Sequence, residues 1–101
     1  MAGYVYIWEF QVAAAQRAAF ERAYGADGDW VALFRRSEGY LGTSLLRDRG
    51  VEGRYLTVDR WRDEAAYRAF RADFETDYRR LDAACEGLAA AERSLGDYAE
   101  A

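Results

Sequence analysis

The stretch Arg54–Phe74, RYLTVDRWRDEAAYRAFRADF, changes period halfway along, and that change constrains the fold more than any other feature of the chain. Tyr55, Leu56, Thr57, Val58 and Trp61 are strand-favouring types, uninterrupted by Gly or Pro. From Asp63 the pattern is helical. Tyr67, Phe70 and Phe74 recur on one face, and Asp63 stands where an N-cap accepts the first free N–H groups. A strand that turns at once into a helix with an aromatic stripe needs a sheet beside it and a partner helix over it.

The remaining chain supplies both. Tyr4–Val12 (YVYIWEFQV) reads as a first strand, with Tyr6, Trp8, Phe10 and Val12 on one face and Val5, Ile7, Glu9 and Gln11 on the other. Both faces are largely apolar, so both need covering. Ala13–Tyr24 is Ala-rich and reads as a helix ending at Gly25. Asp27-Gly28-Asp29 reads as a turn with a capping carboxylate that launches a short helix, Trp30–Arg36. Tyr40–Arg47 is the second strand, and Asp48–Gly53 a polar hairpin loop before the third. The helix begun at Asp63 is expected to run unbroken through Tyr78, Leu81 and Cys85 to about Gly87, with a short edge strand around Ser94–Tyr98.

The order β-α-(α)-β-β-α-β with right-handed crossovers gives an α+β fold. It is a ferredoxin-like antiparallel sheet of strand order 4-1-3-2 with the helices on one face, and residues 1–101 make one domain. The other face, which includes Val5 and Ile7, would be a large apolar patch on a monomer. Two sheets packed face to face would bury it, so a homodimer is expected; the alternative is a monomer that tolerates the patch.

Composition excludes several functions. The net charge of -4 and pI near 4.8 argue against nucleic acid or an anionic membrane as partner. No apolar run approaches the ~20 residues of a membrane span, and the N-terminal MAGYVYIWEF lacks a basic segment ahead of an apolar core. One cysteine, Cys85, permits no intrachain disulfide, and the expected location is the cytoplasm. Histidine is absent, which removes the commonest general base and the commonest metal and haem ligand. Catalysis, if any, falls to carboxylates, Tyr, Arg, Trp, backbone groups or the substrate's own reactivity. No metal-ligand spacing or phosphate-binding loop is present, so no metal and no cofactor are expected.

Four stretches together resemble the antibiotic biosynthesis monooxygenase family of dimeric α+β barrels. They are the Val12-to-Phe20 spacing after the first strand, Gly39-Tyr40-Leu41-Gly42-Thr43-Ser44-Leu45-Leu46-Arg47-Asp48, Tyr55-Leu56-Thr57-Val58-Asp59-Arg60-Trp61, and Glu64-Ala65-Ala66-Tyr67-Arg68-Ala69-Phe70. The resemblance covers about residues 4–98 and implies a dimer of ferredoxin-like units with a pocket between sheet and helices in each subunit. Relatives of that kind include cofactor-independent oxygenases acting on polycyclic phenols, quinol oxygenases, haem-degrading enzymes and a lactone isomerase, so the scaffold is shared while the pocket chemistry varies. Here Ala13-Ala14-Ala15 replaces the family's usual Pro-Gly after the first strand, which bears on the turn. The haem-degrading branch uses an Asn on the first strand, a Trp ending the third and a His on the next helix. Trp61 matches that Trp, but Trp8 stands at the Asn position and there is no His, so haem degradation is rejected.

The candidate pocket follows from strand alternation. Trp8 and Tyr6 face the helices, with Thr57 and Asp59 alongside on the third strand and Trp61 at its end. A carboxylate in an aromatic cavity has a raised pKa and suits a general base for a phenol or enol, which makes Asp59 the candidate base. Alternatively Asp59 pairs with an Arg and only holds structure. Trp61 is pocket wall or simply packing, and Phe34, Tyr67 and Phe70 are substrate-binding candidates or core, as are Trp30 and Phe74. Glu9 lies on the opposite face with Arg60 as its expected ion-pair partner, and Cys85 reads as inert packing.

The reading is a cofactor-free monooxygenase on a small aromatic or polyketide-like substrate, in which the electron-rich substrate anion itself reduces O2. The alternative is a non-catalytic small-molecule binder, or an isomerase, on the same scaffold. Ligand chemistry calls for an enclosed cavity of ~300 Å³ or more lined by Trp8, Asp59 and Trp61.

Overall fold

The computed structural model describes residues 2–101. Strand β1 (Tyr4–Gln11) leads through a 3-10 turn (Ala14–Gln16) into helix α1 (Arg17–Tyr24) and the short helix α2 (Asp29–Phe34). Then come β2 (Tyr40–Arg47), β3 (Arg54–Trp61), α3 (Glu64–Asp73), α4 (Glu75–Cys85) and β4 (Ala91–Ala99). The sheet is four-stranded and antiparallel, in the order β2-β3-β1-β4, as the element order requires.

Local chemistry accounts for most boundaries. Asp63 caps α3: its side chain accepts the Ala66 N–H at 2.8 Å, satisfying a donor that the helix itself cannot. Gly53, at φ +80°, closes the hairpin and gives its carbonyl to the Val12 N–H at 2.8 Å. Gly39 is a close approach. A Cβ there would lie 2.3 Å from the Ala66 Cβ, so its bareness lets α3 lie against the start of β2.

Four expectations need correction. The second long helix is two: Phe74, at φ −117° and ψ 27°, ends α3 and begins α4, with no Gly or Pro to mark the break. Beyond the break, Tyr78 packs against Trp30, ring centroids 5.0 Å apart. Helix α2 starts at Asp29 behind Gly28 as its N-cap, so no carboxylate side chain caps it, and it ends at Phe34 rather than Arg36. The last strand is nine residues long and pairs with β1 from Tyr4↔Ala99 to Gln11↔Ala91, with one register slip between Ile7 and Trp8 that leaves Leu95 as the extra residue. That pairing decides the partner of Glu9, which meets Arg93 on β4 at 3.2 Å, while Arg60 reaches Ser44.

The helices cover one face and bury two aromatic clusters against it. Trp30, Leu33, Phe34, Trp61, Phe70 and Cys85 form the larger; Phe10, Val12, Phe20 and Tyr55 form the smaller. Each fully buried large side chain here stabilises by about 1.5–3 kcal/mol. On the other face Ile7 lies beside Val58 and Gly96, with Leu46 and Tyr98 47% and 50% exposed.

Candidate functional site

The two clusters do not merge. Where they would meet is a half-open cavity of about 190 Å³, with Phe10 on one wall and Trp30 and Phe34 on another. Its floor is the centre of the sheet, where Tyr6, Asp59 and Thr43 lie side by side on β1, β3 and β2, and Trp8 lies beside Thr57 in the next row. Thr43, Thr57 and Asp59 are short, and set among aromatic neighbours they leave the space open. Tyr24, Tyr78, Asp82 and Glu92 complete the wall and the mouth. A second recess of about 620 Å³ shares Tyr24, Asp82 and Glu92 and extends along the end of α4 to Ala91.

Asp59 is the one carboxylate in the floor, and it is only 5% exposed. Its Oδ1 accepts the Thr43 hydroxyl at 2.5 Å, and Thr43 Oγ1 lies 2.6 Å from the Tyr40 hydroxyl. Burial pushes the carboxyl up from 3.8 to about 6, opposed by the Thr43 hydrogen bond and the positive charge of Arg60. Among the described residues Asp59 makes no salt bridge. The group is therefore a carboxylate poised near neutral pH inside an aromatic chamber, a state suited to accepting a proton. The neighbouring Tyr6 hydroxyl is pushed well up by burial and then by Asp59, so it stays a neutral donor. Tyr78 is raised to about 12, mainly by burial. At the mouth, Glu92 is raised by burial and by Asp82.

Of the sequence candidates, Tyr6, Trp8, Phe34 and Asp59 line the cavity together. Trp61, Tyr67 and Phe70 do not. Trp61 is wholly buried among Phe34, Tyr40, Tyr67 and Phe70, with ring centroids 5.0–5.6 Å away. Tyr67 packs between Tyr4 and Tyr6, and Phe70 against Phe74 and Tyr78. Sequence reasoning missed Thr43, Tyr78, Asp82 and Glu92. Inward alternation on β2 could have offered Thr43, but nothing local marks the other three. Trp30 lines the cavity, and its Nε1 is a buried donor with no hydrogen-bond partner among the described residues. Among the described residues no group of three or more His, Cys, Asp or Glu is placed to hold a metal ion.

A family model described as antibiotic biosynthesis monooxygenase matches residues 3–76. No match is found among curated proteins. Among solved structures, a Caulobacter crescentus CB15 protein superposes with a TM-score of 0.78 at 19% identity, covering 99% of this chain and 91% of that one. PA3566 from Pseudomonas aeruginosa gives 0.74 at 21% identity over 100% and 96%. A mutant form of SnoaB, a cofactor-independent oxygenase from Streptomyces nogalater, gives 0.70 at 22% identity over 95% and 90%. At these identities the likeness is one of fold.

Proposed function

Since this chain belongs to the antibiotic biosynthesis monooxygenase family, we propose that it is a monooxygenase of the cofactor-independent kind, with Asp59 as its base and a small aromatic or polyketide-like phenol or enol as substrate. The observation that carries the reading is the buried, unpaired carboxyl on the floor of an aromatic cavity. Asp59 takes a proton from the substrate, leaving an electron-rich anion. The anion passes electrons to O2 and bonds to it, giving a peroxide. Cleavage of the O–O bond leaves one oxygen on carbon, and the other departs as water with a proton from solvent and a second substrate hydrogen. Fixed dipoles facing the reacting atoms favour each charge shift.

Volume sets the substrate size. The chamber of about 190 Å³ is below the expected ~300 Å³ and lacks Trp61. A void of roughly 150 Å³ holds a benzene ring, so the inner chamber takes one ring. A larger substrate would lie with its remainder in the outer recess. The small chamber is also the observation that favours the second reading, a small-molecule binder without turnover. O2 consumption with anthrone- and quinol-type compounds, wild type against Asp59→Asn, decides. Loss of turnover in the variant supports the base, and equal rates remove it. A full panel without O2 uptake, alongside saturable quenching of tryptophan fluorescence by the same compounds, favours the binder.

The homodimer belongs to the same proposal. Val5, Ile7, Leu46, Leu56 and Tyr98 give the uncovered sheet face an apolar centre, which a second copy would bury. The acidic net charge, with no helix among the described residues long and apolar enough to cross a membrane, fits a cytoplasmic setting.

A further inference from the structure

Building on that role for Asp59, we propose that Thr43 and Tyr40 are positioning residues that carry the carboxyl's proton from the cavity to the edge of the sheet. An ionised carboxylate only accepts, and a threonine hydroxyl has one proton to give. Thr43 therefore donates to Asp59 Oδ1 at 2.5 Å, which leaves its oxygen free to accept from the Tyr40 hydroxyl at 2.6 Å. All the protons of the chain point inward, toward the carboxylate. This is the arrangement left behind when a proton has just gone out. Before that transfer, with the acid proton turned onto Oδ1, each hydroxyl points the other way. The Asp59 O–H bond breaks as Thr43 Oγ1 gains that proton, Thr43 passes its own to the Tyr40 oxygen, and Tyr40 releases its proton to water. The carboxyl loses one proton and the solvent gains one, with no charged phenol or hydroxyl between.

The backbone is shaped for this contact. Tyr40 and Thr43 are three residues apart, and in a regular strand they would point to opposite faces. The register slips between Tyr40 and Gly42, so Leu41 is an extra residue, 63% exposed, and both side chains come to the cavity face. Gly42 accepts the distorted backbone, at φ +158° with open space where a Cβ would stand. Bulges of this kind re-aim side chains beside active sites. Strand β2 is the edge of the sheet, and Tyr40 is half-buried there, so the outer end of the chain lies near solvent. Packing alone does not call for the two hydroxyls. The Tyr40 ring makes its contacts to Phe34 and Trp61 at 5.4 and 5.3 Å without its oxygen. The other charged or titratable groups that act on the chain are Tyr6 and Tyr78 on the cavity side, Arg60 on β3 and Arg35 beside Tyr40.

The test follows the Asp59 carboxyl by ¹³C NMR in the full chain, with no substrate present. Relaxation dispersion at mid-titration reads the rate at which the carboxyl exchanges its proton with water. Tyr40→Phe and Thr43→Val keep shape, and both should slow exchange by roughly tenfold or more, while Thr43→Ser restores it. Exchange at the wild-type rate in Tyr40→Phe overturns the relay. In turnover, the same variants should lower kcat with KM little changed and raise the solvent deuterium isotope effect. The two readings fail separately. Equal O2 consumption by Asp59→Asn sinks the base, whereas unchanged exchange in Tyr40→Phe with Asp59→Asn inactive sinks the relay alone.

Discussion

Asp59→Asn should make the folded chain more stable, and by an amount that depends on pH. Burial raises the carboxyl from 3.8 to about 6, so the folded state keeps a proton that the unfolded state has already released between those two values. Stability from this site is highest at low pH, falls as pH rises through the window, and is lowest above about 6. The gap is about two pH units, which at about 1.4 kcal/mol per unit makes the ionised, buried carboxylate cost about 3 kcal/mol at neutral pH. Asparagine has the same shape, still accepts the Thr43 hydroxyl, and carries no charge. Its amide N–H faces the cavity and recovers an incomplete partner set, an offset of about 1 kcal/mol. The net expectation is a gain of about 2 kcal/mol at pH 7, a Tm higher by on the order of 10 °C for a chain of this size, and no gain at pH 4. Urea or thermal unfolding of both proteins at pH 4, 5, 6 and 7, at one protein concentration, measures it, and taking the difference cancels the groups the two share. A difference that stays constant across that range refutes the desolvation of Asp59, and with it the basis for treating it as a base. A variant more stable yet inactive is the signature of a group kept for chemistry.

Other predictions address the scaffold. Asp63→Ala removes the α3 cap and should cost about 1 kcal/mol, read by urea denaturation. Trp61→Phe should lower stability by about 1–2 kcal/mol while ligand affinity stays within roughly twofold, because Trp61 is wholly buried away from the cavity; Trp8→Ala should weaken ligand affinity more than it weakens the fold. Ile7→Glu places a charge in the middle of the uncovered sheet face and should convert a dimer to monomers in light scattering; a monomeric wild type refutes the dimer. Cys85 is buried and its thiol is pushed up by burial, so a thiol-reactive disulfide reagent at pH 8 should leave it unmodified until the chain is denatured.

How far the fold is legible in the sequence depends on how local its cause is. The cap at Asp63, the hairpin after Arg47 and the alternation of β1 each rest on neighbouring residues, and they are enough to fix the order of the sheet. What rests on partners distant in sequence is not legible. Ala91–Ala99 contains no β-branched residue and is mostly exposed, yet it is a full-length strand because β1 offers it a partner at both ends, with one register slip between Ile7 and Trp8. Contact context overrides propensity there. The pairing of Glu9 with Arg93 follows from that ladder, and so could not be found by looking only at β1 and β3. The break at Phe74 is not legible either: the aromatic stripe keeps its spacing through it, and no Gly or Pro marks the place.

The site follows the same division, and its inner part comes down to size. Alternation places Tyr6, Trp8, Thr57 and Asp59 on one face of the sheet, and these four do share the cavity. A helical stripe says only that side chains turn inward. It does not say whether they meet the sheet over a large residue or a small one. Trp61 and Phe70 meet each other and close the core, while Trp30 and Phe34 stand over Asp59, Thr57 and Thr43 and leave it open. Short polar residues at the centre of an otherwise aromatic inward face are thus the part of the pattern that foretells a cavity, and Asp59 among them is the one that ionises. The contact of Thr43 with Tyr40 escaped that reasoning for a geometric reason. Plain alternation puts Tyr40 on the opposite face from Thr43, and only the extra residue at Leu41 brings their hydroxyls within 2.6 Å. A glycine inside an apolar strand is the local trace such a bulge leaves. Gly42 is that trace, and through it β2 bends to join an edge tyrosine to a buried acid.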